Sequence, residues 1–290
     1  MRAMAGLREL LAGPEPVLAP GAYDALSARL VARAGFPAVY MTGFGASASL
    51  LGRPDIGLLS FAEMAGHARR LVQAVEVPVI ADADDGYGNP LNVMRTVREY
   101  EAAGVAALHI EDQVAPKRCG HMEGKEVIDA AEMVEKVRAA VEARDEMTII
   151  ARTDARAVEG LDAALERARR YRDAGADVLF VEAPQTEEEI VAVAEAFPDV
   201  PLVFNWVEGG KTPQLPVDRV RELGFALVIF PVTTLFAAAQ AVTDVLAHIG
   251  EHDAALPATP DGVRVPPFDD FTSMIGLPEV RELEARYAAD

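Results

Sequence analysis

The chain has 290 residues, and 51% of them are hydrophobic, which is enough for a sizeable buried core. The formal net charge of -19 at pH 7 argues against a nucleic-acid-binding protein, because a phosphate backbone requires a basic surface and the 27 Lys and Arg residues are scattered. The longest apolar runs are broken by proline and threonine, the amino terminus lacks a signal-peptide cleavage pattern, and one cysteine cannot form an internal disulfide, so we expect a cytoplasmic protein without a membrane span.

Eight short β-rich runs recur along the chain, and each is followed by a helical pattern. Segments such as NVMRTVREYEAAG and LDAALERARRYRDAG have apolar residues at three- and four-residue spacing, which predicts amphipathic helices. Both segments end at a glycine just before the next strand, as helices in such units commonly do. The eight predicted strands are residues 17–20, 38–42, 78–82, 106–111, 148–152, 177–182, 201–205 and 226–230.

Alternating strands and helices predict a parallel sheet with right-handed crossovers. Eight such units in about 250 residues match the size of a single (β/α)8 TIM barrel, an α/β fold. We therefore predict a barrel over residues 1–250 and a C-terminal helical extension over residues 251–290. The extension contains the Pro-rich stretch ALPATPDGVRVPP and the helical pattern LPEVRELEARYA. We expect it to pack on a partner subunit.

One motif offers a competing interpretation. The stretch GFGASA at residues 43–48 follows a predicted strand and fits the dinucleotide-binding pattern G-x-G-x-x-A, with Glu63 about twenty residues later. The acidic residue of such a site ends a second strand, whereas Glu63 lies in SFAEMAGHARRL, which has a helical pattern. We therefore interpret residues 43–48 as a glycine-rich loop where the backbone closely approaches another group.

Six of the predicted strands are apolar but end in a polar or charged residue. Chemistry in a (β/α)8 barrel gathers at the carboxyl ends of the strands, so these six side chains should face one cavity. They are Thr42, Asp82, Glu111, Arg152, Glu182 and Asn205.

The stretch ADADDGYG supplies three aspartates after the third predicted strand. Residues two apart in an extended chain point the same way, so Asp82 and Asp84 can converge while Asp85 turns aside. Together with Glu111 they would form an all-oxygen site, which suits Mg2+ or Mn2+ better than Zn2+. The alternative is an acidic turn before two glycines that holds no metal.

Arg152 ends the fifth predicted strand, in TIIARTDA. An unpaired buried guanidinium is costly, and its planar shape matches a carboxylate. That carboxylate belongs either to a neighbouring acidic residue, in a structural ion pair, or to a substrate, in which case Arg152 clamps an anion opposite the metal. The residues alone leave both interpretations open.

The segment between Glu111 and the helical pattern near Ala130 is about eighteen residues long, which is unusual for a βα loop. A long, glycine-containing, cationic loop beside a metal site is a candidate lid over an anionic substrate. It carries the single thiol, Cys119, which could act as a nucleophile or as an acid, since cations lower a thiol pKa and carboxylates raise it. Its stretch PKRCGHMEGK offers no apolar neighbours for the alternative, a core cysteine. The cations of the loop are Lys117, Arg118, His121 and Lys125.

Five blocks follow one another along the chain: ADADDGYG, HIEDQVAPKRCGH, IARTDA, FVEA and NWVEGGKTP. In order and spacing they resemble the isocitrate lyase and phosphoenolpyruvate mutase superfamily, whose lyase signature KRCGH is present. The resemblance covers about residues 20–231 and the end LPEVRELEARYA. It implies a Mg2+-dependent (β/α)8 oxo-acid lyase, usually a homotetramer whose last helix is exchanged between barrels.

The resemblance also implies roles for individual residues. The implied metal-site acids, some acting through water, are Asp82, Asp84 and Glu111. The implied catalytic residues are Cys119, Asp55, Lys117, His121 and Tyr40. The implied substrate-binding residues are Thr42, Gly43, Phe44, Gly120, Arg152, Glu182 and Asn205.

In the lyases of this superfamily, Mg2+ binds a carboxylate and the C2 oxygen of a 2-hydroxy diacid. Cleavage of the C2–C3 bond gives an α-keto acid and a carbanion, which the loop cysteine protonates. The resemblance therefore selects the acid role for Cys119. It predicts a retro-aldol or Claisen-type carbon–carbon lyase that cleaves a 2-hydroxy di- or tricarboxylate, such as 2-methylisocitrate or 2,3-dimethylmalate, to an α-keto acid and a carboxylate.

Three other functions stay open at this point. Carboxyvinyl-carboxyphosphonate phosphorylmutase also retains KRCGH, so phosphorus–carbon bond formation is the first alternative. An oxaloacetate hydrolase or decarboxylase is less favoured, because the hydrolases tend to carry serine where this chain has Pro231. A non-catalytic carboxylate-binding protein is disfavoured because the set of polar groups is intact.

Overall fold

The computed structural model describes residues 2–252 and 265–288. All eight predicted strands are present, and their ends differ from the prediction by at most two residues. The strands are β1 (Val17–Ala22), β2 (Val39–Met41), β3 (Val79–Asp82), β4 (Ala107–Glu111), β5 (Thr148–Thr153), β6 (Val178–Val181), β7 (Val203–Asn205) and β8 (Leu227–Phe230).

The strands form one parallel sheet that is almost closed on itself. Strands β1 to β6 pair in chain order, and β1 also pairs with β8, which in turn pairs with β7. Strands β6 and β7 meet through a single bridge between Leu179 and Leu202, and the Leu179 N–H donates to the Pro201 carbonyl at 3.0 Å. The predicted (β/α)8 barrel is therefore confirmed.

Helices connect the strands, and the two amphipathic patterns quoted from the sequence form α5 (Pro90–Ala102) and α7 (Leu161–Asp173). A short 3-10 helix, Ala155–Ala157, lies between β5 and α7. The α-helices of the described residues are α1 (Arg2–Leu11), α2 (Ala25–Arg33), α3 (Gly43–Leu51), α4 (Phe61–Ala74), α5 (Pro90–Ala102), α6 (Ala130–Ala143), α7 (Leu161–Asp173), α8 (Glu187–Ala196), α9 (Val217–Glu222), α10 (Thr233–His252), α11 (Phe268–Met274) and α12 (Leu277–Arg286).

Two helices end at the glycines expected from the sequence. Gly104 follows α5 with φ of 93°, and Gly175 follows α7 with φ of 104°. Both values lie in the left-handed region, which side chains with a Cβ atom rarely adopt. The glycines allow each helix to stop and the chain to enter the next strand within a few residues.

The glycine-rich stretch after β2 is not a loop, as its composition predicted, but the start of α3. Thr42 caps this helix by accepting a hydrogen bond from the Gly45 N–H at 3.1 Å. The small residues are buried, so close packing outweighs their low helix propensity. Glu63 lies in α4, as expected, where its carboxylate accepts from the Ser60 N–H at 2.8 Å in a capping box. It does not end a strand, so the dinucleotide-binding interpretation is excluded.

The alternation of side chains along the strands divides the core in two. One buried cluster lies inside the barrel and includes Ala19, Tyr40, Ile80, Ile150 and Phe180; Leu7 and Leu11 of α1 join it. The other lies between strands and helices. Because the side-chain period of a strand is two, residues two positions after an inward-facing residue also face inward at the carboxyl end. This parity directs the strand-end polar residues into the mouth of the barrel.

The chain divides into two compact units, residues 1–235 and 236–290. In the second unit α11 and α12 contact each other, and neither helix has a buried side chain.

The predicted Pro-rich stretch lies largely outside the described residues. No helix in the described ranges is long and apolar enough to cross a membrane. The packing of the predicted extension on a partner subunit stays a prediction. Apolar side chains exposed on and beside α11 and α12 are Phe268, Ile275, Val280, Leu283 and Tyr287.

Candidate active site

The predicted site residues gather at the carboxyl ends of the strands. Some end or follow a strand directly, and the others belong to α3, to the loop after it, or to the long loop between β4 and α6, residues 112–129. At the strand ends lie Tyr40, Thr42, Asp82, Asp84, Glu111, Arg152, Glu182 and Asn205, with Gly43 and Phe44 in the first turn of α3, Asp55 after α3, and Lys117, Cys119, Gly120 and His121 in the long loop.

Three buried side chains form a group with the dimensions of a metal site. One ligand atom from each of Asp82, His109 and Glu111 lies within 4.8 Å of the others. The Asp82 carboxylate accepts hydrogen bonds from the Gly43 N–H at 3.2 Å and the Asp84 N–H at 3.0 Å. A Cβ atom at position 43 would collide with that carboxylate, which explains the glycine. His109 Nε2 lies 3.7 Å from Asp82 Oδ1 and 2.8 Å from the Tyr40 hydroxyl oxygen.

The protonation of this group differs from residue to residue. Burial opposes ionisation of Asp82, but His109 and the cations Lys117 and Arg152 outweigh it and hold its pKa at about 2. Burial raises the pKa of Glu111 well above its usual range, although Arg152 opposes the shift. Burial also lowers the pKa of His109 to about 4, so its ring is neutral at pH 7.

The residues present fit a divalent cation. Glu111 Oε1 is buried and has no hydrogen-bond partner among the described residues. A buried carboxylate oxygen without a partner is costly, and a cation would satisfy it. Two carboxylates and one neutral imidazole are a suitable donor set for such an ion.

Asp84 is not arranged as the period-two argument assumed. Strand β3 ends at Asp82, and Asp84 has φ of 46°, in the left-handed region. Its carboxylate lies 2.7 Å from Lys117 Nζ, which also contacts Asp55 at 2.7 Å. Burial raises the pKa of Asp84 to about 7, despite Lys117. Asp85 points elsewhere, with an oxygen 3.5 Å from Lys136 Nζ.

Arg152 makes a bidentate ion pair with a residue that the sequence analysis did not single out. Its Nε and Nη2 atoms donate to the two carboxylate oxygens of Asp154 at 2.9 and 3.1 Å. Looser contacts reach Glu111 at 3.3 Å and Glu182 at 3.5 Å. The guanidinium carbon lies 5.0 Å from the ring centre of Phe180. The structural ion pair considered for Arg152 is thus present, and the same guanidinium lies 3.3 Å from Glu111 of the metal-binding group.

Glu182 is a shared acceptor that also lies 3.5 Å from Arg152 Nη2. Asn205 Nδ2 donates to its two oxygens at 3.3 and 3.2 Å, and His121 Nε2 lies 3.2 Å from Oε1. Burial would raise the pKa of Glu182, but Arg152 and His121 lower it overall. The carboxylate is therefore ionised, and it links strands β6 and β7 to the long loop.

The long loop lies against the barrel mouth and carries Cys119 with it. The Cys119 N–H donates to the Asp55 carbonyl at 3.1 Å. Burial raises the pKa of the thiol to about 11, and Asp55 and Glu182 add to the shift, while Arg152 opposes it. The thiol is therefore protonated at pH 7, which the sequence alone left open. A Cβ atom at Gly120 would approach Arg152 Nη2 to 2.5 Å, so only glycine allows this closeness.

Two further residues of the site, His109 and Asp154, were not predicted from the sequence, although their spacing from predicted residues could have indicated them. His109 precedes Glu111 by two positions, and Asp154 follows Arg152 by two, so strand parity directs all four into the barrel mouth. Lys125, named only as a loop cation, lies 3.1 Å from Asp154 Oδ1. Such pairings between distant segments cannot be recognised from parity alone.

A protein-family model for phosphoenolpyruvate phosphomutase matches residues 7–250. The chain belongs to the phosphoenolpyruvate phosphomutase family. The resemblance noted in the sequence is thereby confirmed. Among relatives of this family, 2,3-dimethylmalate lyase from Eubacterium barkeri is 47% identical over 290 residues, covering 99% of each chain. The 2-methylisocitrate lyase from Aeropyrum pernix is 49% identical over 245 residues, covering 84% of this chain and 79% of the relative.

Solved structures of other proteins have the same fold as this chain. Oxaloacetate acetylhydrolase in complex with the inhibitor 3,3-difluorooxalacetate matches with a TM-score of 0.93 and 37% identity, covering 99% of this chain and 98% of that one. Phosphonopyruvate hydrolase in complex with oxalate and Mg2+ matches with a TM-score of 0.88 and 32% identity, covering 99% of both chains. Both of these structurally similar proteins hold small carboxylates, one of them together with Mg2+.

Proposed function

We propose that the protein is a Mg2+-dependent carbon–carbon lyase that cleaves a 2-hydroxy di- or tricarboxylate to an α-keto acid and a second carboxylate. The observation that carries the proposal is the position of Cys119 in the loop at the barrel mouth. The next residue, Gly120, lies against Arg152, which in turn contacts Glu111 of the metal-binding group at 3.3 Å. Relatives named as lyases of 2,3-dimethylmalate and 2-methylisocitrate, both 2-hydroxy acids, support this substrate class.

The residues of the chain supply binding, orientation and one proton. Arg152 and Asn205 offer donors for the carboxylates of the substrate. When the C2–C3 bond breaks, its electron pair stays on C3 and is delocalised into the adjacent carboxylate. In this proposal the proton of the C2 hydroxyl passes to the Asp55 carboxylate, and Cys119 delivers its Sγ proton to C3. Transfer of the proton from Asp55 to the thiolate through water then restores both groups, so protons balance. The long loop excludes water that would otherwise compete with this proton.

We propose that Mg2+, with Mn2+ as the alternative, is held by Asp82 and Glu111 directly and by Asp84 through water, because the Asp84 carboxylate is paired with Lys117. When bound, such an ion supplies positive charge opposite the negative charge that develops on the C2 oxygen. His109 stands beside these acids through its hydrogen bond with Tyr40. Lys117 joins Asp55 to Asp84, which fixes the loop next to the acids.

A direct test measures keto-acid release from 2-methylisocitrate, isocitrate, 2,3-dimethylmalate and citramalate, with and without Mg2+. We expect Mg2+-dependent release from at least one of them. Oxaloacetate belongs in the same panel, because oxalate and acetate as its products would favour a hydrolase instead. A phosphorus NMR assay with the matching phosphonate precursor would detect a phosphorylmutase. A protein that binds oxalate but turns over no substrate of the panel contradicts the proposal.

The substitution Cys119→Ser tests the proton donor. A serine hydroxyl is a much weaker acid, so we expect turnover to fall by at least about a hundredfold, the usual range for loss of a general acid. Metal-dependent binding of oxalate, measured by calorimetry, should persist. Lyase turnover close to that of the parent protein would refute the role of Cys119.

The assembly and location belong to the same proposal. We propose a homotetramer in which the C-terminal helices pack on a partner barrel, because their apolar side chains are exposed in the single chain. We also propose a cytoplasmic location, because a catalytic free thiol is preserved in a reducing compartment.

A further inference from the structure

Asp154 lies at the end of β5 and is fully buried. Its backbone N–H donates to Asp112 Oδ1 at 2.9 Å, and Asp112 also accepts from the Thr153 and Tyr171 hydroxyls, both at 2.7 Å. Asp154 is thus anchored at the strand end by a network behind the site. Its carboxylate can therefore act as a fixed point for groups that move.

Two cations from different parts of the chain meet on this carboxylate. Arg152 occupies both oxygens through its bidentate pair, and Lys125 Nζ lies 3.1 Å from Oδ1. Lys125 also donates to the carbonyl oxygen of Gly120, the residue after Cys119. A chain of contacts therefore runs from Arg152 through Asp154 and Lys125 to the segment that bears the thiol.

The charges make these contacts interdependent. The side chains of Lys125 and Arg152 are 2% and 8% exposed, so water screens their mutual repulsion poorly. Asp154 is the carboxylate that both of them contact. Loss of its charge would leave Lys125 buried without this partner and Arg152 with only its looser contacts to Glu111 and Glu182. When the loop opens and Lys125 moves away, Oδ1 of Asp154 would contact Arg152 only.

We propose that Asp154 is a positioning residue that couples closure of the long loop to the orientation of Arg152. It acts through Arg152 on one side and through Lys125 and Gly120 on the other. This inference rests on the proposed function for its consequence in catalysis. Its structural part, the coupling itself, is independent of the reaction.

The chain offers a direct reporter of loop closure, because Cys119 is its only cysteine. The rate at which a thiol reagent labels the native protein measures how often the loop opens. Lys125→Met should raise this rate by at least about tenfold, since removing one partner of a buried ion pair is strongly unfavourable. Asp154→Asn, which keeps the shape but removes the charge, should raise it to a similar extent, and Lys125→Arg should restore slow labelling.

Lys136→Met is the matched control, because Lys136 is a buried lysine of α6 paired with Asp85 outside the loop. It should reduce thermal stability without faster labelling. The double variant Lys125→Met/Asp154→Asn should label no faster than Asp154→Asn alone, because both changes break the same connection. Oxalate with Mg2+ should protect Cys119 in the parent protein and fail to do so in Asp154→Asn.

Kinetics then separate positioning from a general structural role. With an active substrate, Asp154→Asn should raise KM and lower kcat, whereas Lys136→Met should change neither by more than about twofold. Labelling within twofold of the parent rate in both Lys125→Met and Asp154→Asn overturns the inference, as does equal acceleration by Lys136→Met. Absence of lyase activity with the expected labelling pattern would overturn the proposed function and leave the coupling in place.

Discussion

Cys119 shows how burial decides the chemistry of a residue whose neighbours carry both signs of charge. The cations of its loop would lower a thiol pKa, yet Lys117 is neutralised by Asp55 and Asp84, and Lys125 by Asp154. Little positive charge is left to stabilise a thiolate, and burial raises the pKa of the thiol to about 11. The balance favours a proton donor over a nucleophile.

This balance predicts the pH dependence of turnover. A donor must be protonated, so the form of Cys119 needed for the reaction predominates below its pKa of about 11 and is lost as pH rises through that value. We expect kcat to show no loss attributable to Cys119 between pH 7 and about pH 9. Labelling occurs when the loop opens and exposes the thiol, so it should rise about tenfold per pH unit only up to about pH 8, below the ordinary thiol pKa of about 8.5. Stopped-time assays and reagent titrations measure the two curves.

The pH dependences of kcat and of labelling can also contradict the assignment of Cys119 as a proton donor. If Cys119 acted as a thiolate, kcat would rise in parallel with labelling instead of remaining level. The labelling of Cys119→Ser gives the background rate, because that variant has no thiol.

Single positions show where prediction from sequence succeeded and where it stopped. The rule that the carboxyl ends of barrel strands meet brought Asp82, Glu111 and Arg152 together. The period-two argument failed for Asp84, where the strand has already ended and the backbone is left-handed. The pairing of Lys117 with Asp84, and the role of Asp154 as the partner of Arg152, were also not foreseen, because ion pairs between distant segments depend on the three-dimensional path of the chain.

At the level of elements, strands were predicted well and one helix was missed. Each strand is a short apolar run bounded by turn residues, a strong local signal. Helix α3, with sequence GFGASASLL, has low intrinsic propensity and forms because Thr42 caps it and its small residues pack closely. Tertiary contacts, which cannot be read from the sequence, therefore determine that this segment is helical.

Helix α4 offers a test of this view of glycine. A Cβ atom at Gly66, inside the helix, would meet no atom within 4 Å. We expect Gly66→Ala to raise the free energy of unfolding by about 0.5–1 kcal/mol, because alanine loses less backbone entropy in a helix. Urea unfolding followed by circular dichroism measures the change.

Gly104→Ala is the matched control with the opposite sign. Position 104 has φ of 93°, and a Cβ atom there would approach Val72 Cγ1 to 2.8 Å. Both effects destabilise, so this variant should unfold at lower urea concentration than the parent. A stabilised Gly104→Ala, or a destabilised Gly66→Ala, would contradict the account.

For the whole molecule, the net charge of -19 poses a problem for binding an anionic substrate. Three cations in the barrel mouth reduce the repulsion of an anionic substrate. Lys117, Lys125 and Arg152 lie there among the buried carboxylates. Since each of these cations is already paired, the mouth does not carry an excess of positive charge by itself. A divalent cation at the acidic group would tip the local balance towards binding an anion, which is why we expect substrate binding to require it.

The exposed apolar side of α12 tests the proposed assembly. Val280 and Leu283 lie three positions apart, on one face, and are 48% and 47% exposed. We expect Val280→Glu/Leu283→Glu to dissociate the oligomer, because two buried charges at an interface are strongly unfavourable. Sedimentation equilibrium would then show smaller species with an unchanged barrel circular dichroism spectrum. Arg281→Glu, a two-unit charge change at an adjacent position, should leave the assembly intact, and a monomeric parent protein would refute the proposed tetramer.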